Sequence, residues 1–335
     1  MIKGNRLKKT EKKRWAIAFA AAASFVLGAC NVNNKASDGP STIRLDYAHY
    51  NPTSLVLHQF GWVEEEFEEE GIEIEWVFSQ GSNRSLEFLN SNSVDFGSTA
   101  GAAALISASN GAPIQSVYVY SQPEWTALVT TPDSSVQSIE DLPGSRIAAT
   151  LGTDPYIFLL RALDREGIDI NDVEIISQQH SDGAQSLING HVDAWAGLDP
   201  IMARLEVEHE GQLFYREAGF NTYGFLNVRN AFAENHPDYV ERIIELYEEA
   251  REWIVENPDE AIDLLVEETG LTPEIAEIQY ERNNFSQPVP GNEHHEGLIE
   301  AGLLLQKSGE IDETIDIEEL VKDLINAEFA EKIVN

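Results

Sequence analysis

Between residues 42 and 121 the apolar pattern alternates between strand-like and helix-like spacing, and this alternation limits the folds open to the chain. TIRLDYA (42–48) reads as a strand. SLVLHQFGWVEEEFEEEG (54–71) then carries a stripe of Leu55, Phe60, Val63 and Phe67, behind Pro52 as a helix opener and before Gly71 as a stop. IEIEWVFS (72–79) returns to alternation, SNRSLEFLNSNS (82–93) to a short helix, and VDFGSTA (94–100) to a strand. AGAAALISASNG (100–111) and IQSVYVYS (114–121) add a helix and a strand. The order β-α-β-α-β-α-β predicts an α/β fold with a mostly parallel sheet covered by helices. Ligands of such sheets sit beyond the carboxyl ends of the strands.

A second βα series runs over roughly residues 131 to 225, with the glycine loop Gly152-Thr153-Asp154-Pro155 at its centre. QLFYREAGF and NTYGFLNVR close it as two strands. The last hundred residues are almost all helical, with a break at Asn257-Pro258. Composition does not say whether they form a third domain or return to cover the first.

The amino end is a different kind of segment. Seven basic residues between Lys3 and Arg14 face one acid, Glu11, and the apolar run WAIAFAAAASFVLGA follows. It ends at Cys30, the single cysteine of the chain. This is the layout of a secretory signal over residues 1–29, too short to span a membrane comfortably. Leu27-Gly28-Ala29-Cys30 resembles the bacterial lipobox, which implies lipidation of Cys30. Residues 30–41 read as a flexible tether. One cysteine excludes an intrachain disulfide.

The chain holds 22 Lys and Arg against 58 Asp and Glu. Without the leader's seven bases and one acid, 15 and 57 remain, a formal charge of −42. Such a surface repels nucleic acid and anionic lipid. It is compatible with a salty environment that screens self-repulsion.

Searches for catalytic chemistry find little. The eight histidines include no HExxH pair, and with one cysteine no CxxC exists, so no metal site is expected. No G-x-S-x-G elbow surrounds Ser82 or Ser98. The Gly97-Ser98-Thr99-Ala100-Gly101 loop is neither G-x-G-x-x-G nor a P-loop, so no nucleotide cofactor is expected. What remains is four strand-to-helix loops: Tyr50-Asn51-Pro52, Gln80-Gly81-Ser82-Asn83, Ser98-Thr99 and Gly152-Thr153-Asp154-Pro155. Each either caps its own helix or offers backbone N–H groups to an anion. Trp195, at a short strand's end, either fills core or walls a ligand. Asp199 reads as a cap for the helix starting at Pro200.

At these segments the chain resembles the aliphatic-sulfonate-binding proteins of ABC importers, within a wider group of nitrate, taurine and thiamine-precursor binders. The most specific stretch is GHVDAWAGLDP (190–200), beside LN (89–90), VDFGST (94–99), DLPG (141–144), and Gly152-Thr153 with LRAL (160–163). The likeness runs from about residue 43 to 325 and weakens after 230. It implies a two-lobed type II periplasmic-binding fold, each lobe a mixed, mostly parallel sheet flanked by helices. Residues 42–128 plus 228–335 would form lobe one and 129–227 lobe two, with two hinge crossovers. It implies a lipid-anchored receptor outside the membrane, as in a Gram-positive bacterium. That receptor would act as a monomer without cofactor or catalysis and deliver a sulfonate-like organic anion to permease subunits. Carried over by position, the ligand loops fall at Tyr50, Asn51, Gln80, Gly81, Ser98, Thr99, Gly152, Thr153, Asp154 and Trp195. Arg84, one turn into its helix, is either a cleft charge or a surface residue.

Three departures stand out. Ala100 follows Ser98-Thr99 where the family has glycine and then proline, Asp154 stands for a serine, and Leu198 replaces the second tryptophan of the WDP run. Asp154 either faces the cleft, disfavouring a sulfonate there, or caps its helix. Receptors for taurine, nitrate, an aromatic compound or a thiamine precursor remain alternatives, as does an extracellular enzyme on this fold.

Cys30→Ser should shift the protein from the membrane fraction into the medium. Retention of this variant at the membrane, read by fractionation and immunoblot, would contradict the lipid anchor.

Overall fold

A computed structural model of the chain describes residues 39–334. The leader, Cys30 and most of the tether therefore lie outside the described residues. The first run is β1 (Thr42–Tyr47), α1 (Pro52–Phe60), α2 (Trp62–Phe67), β2 (Glu73–Phe78), α3 (Ser82–Asn90), β3 (Phe96–Ala100), α4 (Gly101–Ser109) and β4 (Ile114–Pro123). The second is β5 (Thr126–Thr130), β6 (Arg146–Ala149), α5 (Asp154–Glu166), β7 (Glu174–Ser177), α6 (His180–Ile188), β8 (Ala194–Leu198), α7 (Ile201–His209) and β9 (Gln212–Tyr215). After β10 (Gly224–Arg229) come α8 (Asn230–Asn235), α9 (Pro237–Glu256), α10 (Pro258–Thr269), α11 (Pro273–Glu281), β11 (Asn283–Asn284), α12 (Asn292–Lys307), α13 (Ile317–Leu324) and α14 (Glu328–Ile333).

Local chemistry sets many of these boundaries. Pro52, Pro155, Pro237, Pro258 and Pro273 each sit in the first turn of a helix, where the missing N–H costs nothing and φ is already helical. Gly61, Gly167 and Gly270 end α1, α5 and α10 in the left-handed region, with φ of 64°, 70° and 67°.

The strands form two mixed sheets, ordered β11-β4-β10-β3-β1-β2 and β7-β6-β8-β5-β9. β1 pairs in parallel with β2 and β3, and β6 with β7 and β8. Each sheet also holds a strand inside it that runs against its parallel set: β10 is antiparallel to β3 and β4, and β5 to β8 and β9, while the two-residue β11 opposes β4 at the first sheet's edge. β10 and β5 are the two strands the chain enters directly from the other sheet. The parallel strands end at the boundary between the sheets, so a strand arriving across that boundary must run the opposite way.

The crossings fall at Glu124-Trp125 and at residues 221–223, just ahead of β5 and β10. The sequence-based divisions, after 128 and after 227, lie a few residues late. NTYGFLNVR reads as a closing strand of the second series, but its core, β10, belongs to the first sheet. A short apolar strand has the same pattern in either sheet, so periodicity could not assign it. The late helices pack on the first sheet's layers: α9 on α1, α12 and α13 on α4, and α14 on α9 and β4. α11 also touches α7 beside the second sheet.

Candidate functional site

The carboxyl ends of the two parallel sets face one another, as the doubly wound pattern requires. Between them lies a cavity of about 210 Å³. His49, Tyr50, Phe78 and Gln80 line it from the loops after β1 and β2. His180, Leu198, Asp199 and Ile201 line it from α6 and the β8–α7 turn. A smaller void of about 10 Å³ adjoins Tyr50 and Leu198 and is bounded by Ser82, Trp125, Thr153 and Asp154. Both spaces are thus walled from both sheets.

Of the four helix starts, two are closed internally. At α1, Asn51 accepts from Ser54 N (3.2 Å) and Thr53 Oγ1 (2.6 Å), and its Nδ2 donates to Ser98 Oγ (2.8 Å). At α4, Gly101 N donates to Thr222 O (3.0 Å) and Ala102 N to Thr222 Oγ1 (3.0 Å). A Cβ on Gly101 would lie 2.5 Å from Thr222 O, so only glycine permits this approach. The starts of α3 and α5 receive no side-chain cap, and both adjoin the smaller void through Ser82, Thr153 and Asp154. The expected convergence of helix starts therefore holds for α3 and α5 only.

Ser98 and Thr99 turn inward and do not line either space. Ser98 N and Oγ both donate to Asp46 Oδ1, at 2.8 and 2.9 Å, and Ser79 Oγ donates to Asp46 Oδ2 at 2.8 Å. Tyr50 OH donates to Ser98 O (2.9 Å), and Asn227 Nδ2 donates to Thr99 Oγ1 (2.8 Å). Burial pushes the Asp46 carboxyl up to about 6, against the lowering effect of the Ser79 and Ser98 hydrogen bonds. Asn51 and Ser98 thus fasten the ends of β1 and β3 to one another, and the Ser98 and Thr99 hydroxyls already donate inside the protein, to Asp46 and to Ala100 O.

Arg84 is exposed, and its Nη1 lies 2.5 Å from Glu87 Oε2 on the outer face of α3. It is a surface residue: residue 84 points away from the buried face that carries Ser85, Leu86 and Leu89. Trp195 also leaves the site. It is wholly buried on the far side of β8 with Val129, Leu187 and Met202. Gly183 makes room for it, since a Cβ there would come 2.9 Å from the indole. The tryptophan beside the smaller void is instead Trp125, on the first crossover, which a reading centred on strand-to-helix loops passes over. His180, the first residue of α6, sits in such a loop and was equally findable.

Asp154 neither caps α5 nor opens to the cavity. Its Oδ2 accepts from Trp125 Nε1 (2.8 Å) and Thr222 N (3.0 Å), and its Oδ1 from Thr222 Oγ1 (2.5 Å). One carboxylate thereby grips both crossovers. Asn221 Oδ1 accepts from Thr126 N (3.1 Å) and ties the same two segments together. Asp199 caps α7 through Ala203 N (2.9 Å) and meets Arg282 Nη1 at 3.1 Å from each oxygen. Gly152 takes a left-handed φ of 72° and turns the chain into Thr153, whose Oγ1 donates to Thr150 O (2.6 Å). Gly81 is buried, and a Cβ on it would stand 2.8 Å from His180 Nε2, so it marks a close contact between the two sheets' loops.

Residues 63–261 match the family model described as NMT1/THI5 like. The chain belongs to the NMT1/THI5-like family. A Bacillus subtilis (strain 168) protein named as an aliphatic sulfonates-binding protein is 28% identical over 314 residues, covering 92% of this chain and 93% of its own. The alkanesulfonate-binding protein SsuA from Xanthomonas axonopodis pv. citri, solved bound to MOPS, superposes with a TM-score of 0.78 at 21% identity, over 86% of this chain and 98% of that one. The fold of this NMT1/THI5-like chain is therefore the α/β periplasmic-binding-protein fold, with two mixed sheets flanked by helices. The resemblance to the sulfonate-binding group read from the sequence is met. The fold also carries catalysis elsewhere: the desulfurization enzyme DszB superposes with a TM-score of 0.64 at 15% identity, over 88% of this chain and 99% of its own.

Two substitutions separate structural from ligand roles. Trp195→Ala should lower unfolding stability by about 3–5 kcal/mol, as for other buried aromatics; a denaturation midpoint equal to wild type would return Trp195 to the cleft. Asp154→Asn should cost about 1–3 kcal/mol, because an amide cannot accept all three bonds. An unchanged melting curve would mean that the crossovers are held by other contacts.

Proposed function

We propose that this chain is the extracytoplasmic, lipid-anchored receptor of an ABC importer, closing two lobes on a small organic sulfonate. Lobe one is the first sheet with the helices that follow β10, and lobe two is the second sheet. The two crossovers form the hinge. The observation that carries this reading is the cavity of about 210 Å³ between the facing strand ends, walled from both sheets. The uncapped starts of α3 and α5 offer partial positive charge beside it. Leu198, standing where the resembling family has a tryptophan, gives the wall a smaller apolar side chain. The names carried by the Bacillus relative and the Xanthomonas structure point to the same ligand class.

Delivery to permease subunits as a monomer, tethered through Cys30, completes the reading. Among the described residues no helix is long and apolar enough to cross a membrane.

Binding without bond breaking is favoured by how His180 is connected. Thr150 Oγ1 donates to Gln178 O (2.7 Å), so the 3.1 Å contact with His180 Nδ1 has the imidazole as donor. A base activating that hydroxyl would need the opposite polarity. Burial also lowers the His180 pKa to about 3 and keeps the ring neutral.

Calorimetry with ethanesulfonate, butanesulfonate, taurine and MOPS tests the proposal. At least one should release heat and alter tryptophan fluorescence through Trp125, and it should be recovered chemically unchanged. Silence across the whole panel would remove the sulfonate reading, and a converted ligand would reinstate the enzyme.

A further inference from the structure

The cleft walls described so far contribute no unpaired positive charge, which is a difficulty for a receptor of anions. The chain carries 58 acids against 22 bases, so its long-range field repels a sulfonate. Capture then requires a local charge that the protein's own carboxylates have not already neutralised.

Among the described residues, ten of the eleven arginines make a salt bridge with a carboxylate. The eleventh, Arg204, makes none. In so acidic a chain, a guanidinium left without a carboxylate is conspicuous. Its position gives a reason. α7 begins at the cavity, which Pro200 and Ile201 line. Arg204 follows Ile201 by three residues and shares its helix face. Helical side chains lean toward the amino end, which is here the cavity end. Arg204 is half-buried, so its stem is packed and its reach is limited.

Across the cleft stands His49, on the loop after β1 and on the wall of the same cavity. Its pKa is lowered first by burial and then by the charge of Arg204. The acid on that wall, Asp199, does not offset it, because its oxygens are engaged by Arg282 and by Ala203 N. The loop after β1 and the first turn of α7 thus carry His49 and Arg204, neither in a salt bridge with a carboxylate among the described residues, at the same cavity from opposite sides.

We propose that Arg204 is the specificity-determining charge of the cleft: its guanidinium receives the anionic head of the ligand, opposite His49, when the lobes meet. The inference rests on the receptor reading above. The ligand class it selects is a small organic oxyanion, with two sulfonate oxygens matching the planar fork of the guanidinium. Arg204 belongs to lobe two and His49 to lobe one, so an anion held between them also favours closure.

The test compares wild type with Arg204→Gln and Arg204→Lys, by calorimetry with the same four sulfonates at low and high ionic strength. Arg204→Gln should weaken the tightest of them by about tenfold or more and remove the loss of affinity that added salt causes by screening the guanidinium, leaving only the opposite effect of screening the acidic surface. Arg204→Lys should keep the salt dependence while losing part of the affinity. Thermal unfolding of both variants should match wild type. A ligand-independent readout is the His49 titration followed by NMR, where Arg204→Gln should raise the pKa. Wild-type binding of a sulfonate with equal affinity in Arg204→Gln overturns the inference and leaves the receptor standing. An unmoved His49 titration overturns the proposed facing of the two groups. Wild-type failure to bind any of the four removes the receptor reading itself and this inference with it.

Discussion

The carboxylate of Asp154 holds three donors from two segments that are almost a hundred residues apart in sequence: the indole of Trp125 and the amide and hydroxyl of Thr222. Those segments are the two points at which the chain passes between the sheets. Thr222 in turn closes the amino end of α4 through its carbonyl and hydroxyl. One buried acid on α5 therefore links the second sheet's layer, both crossovers and α4 beside the first sheet. The arrangement also removes the apparent conflict between an acid at a cleft-facing loop and an anionic ligand. The carboxylate is fully engaged inside the protein, and burial raises its pKa against the lowering effect of its donors. A serine at this position, as in the resembling family, could not accept all three bonds.

The sheet topology follows from the same two crossings. Because β5 and β10 enter from the boundary, each sheet gains one antiparallel strand among its parallel ones. The remaining strands still end at the boundary, and the loops after β1, β2, β6, β7 and β8 all open there. Asp46 finishes the first sheet's side of the wall by holding Ser79 and Ser98 at the ends of β2 and β3. Groups on the cavity wall are themselves held from behind: Ser79 by Asp46, Tyr50 by Ser98, His180 by Thr150 and Asp199 by Arg282.

Much of this was legible in the sequence, and what was not has identifiable physical reasons. Alternation and helical spacing located β1 to β4 and the helices between them, but α1 and α2 read as one helix, because their apolar stripe runs on through Gly61, where the left-handed turn breaks it. The loops were legible as loops. Their occupancy was not, because the group that closes α4 is Thr222, about 120 residues away, and nothing local to Ser98-Thr99 announces it. Trp195 was misread for a related reason. Ala194-Trp195-Ala196-Gly197-Leu198 is apolar on both faces, so alternation cannot say which side points to the cleft. Leu198 reaches the cavity, while Trp195 lies on the opposite face in the space left by Gly183. Arg204 sits in a helix whose pattern marks it as ordinary surface. Its lack of a carboxylate appears only when the positions of all the acids are known.

The charge distribution connects the surface to the cleft. A strongly acidic exterior slows the approach of an anion, and raising ionic strength weakens that barrier. Inside, the acids nearest the cavity are each engaged: Asp46 by serines, Asp154 by the crossovers, Asp199 by Arg282 and the start of α7. Their negative charge is spread over fixed donors and does not confront the ligand directly. A single unpaired guanidinium can then dominate the local potential although the protein as a whole is negative. If Arg204 receives an anionic head as proposed, affinity and specificity follow from which charges lack a partner, and the net charge governs mainly the rate of encounter.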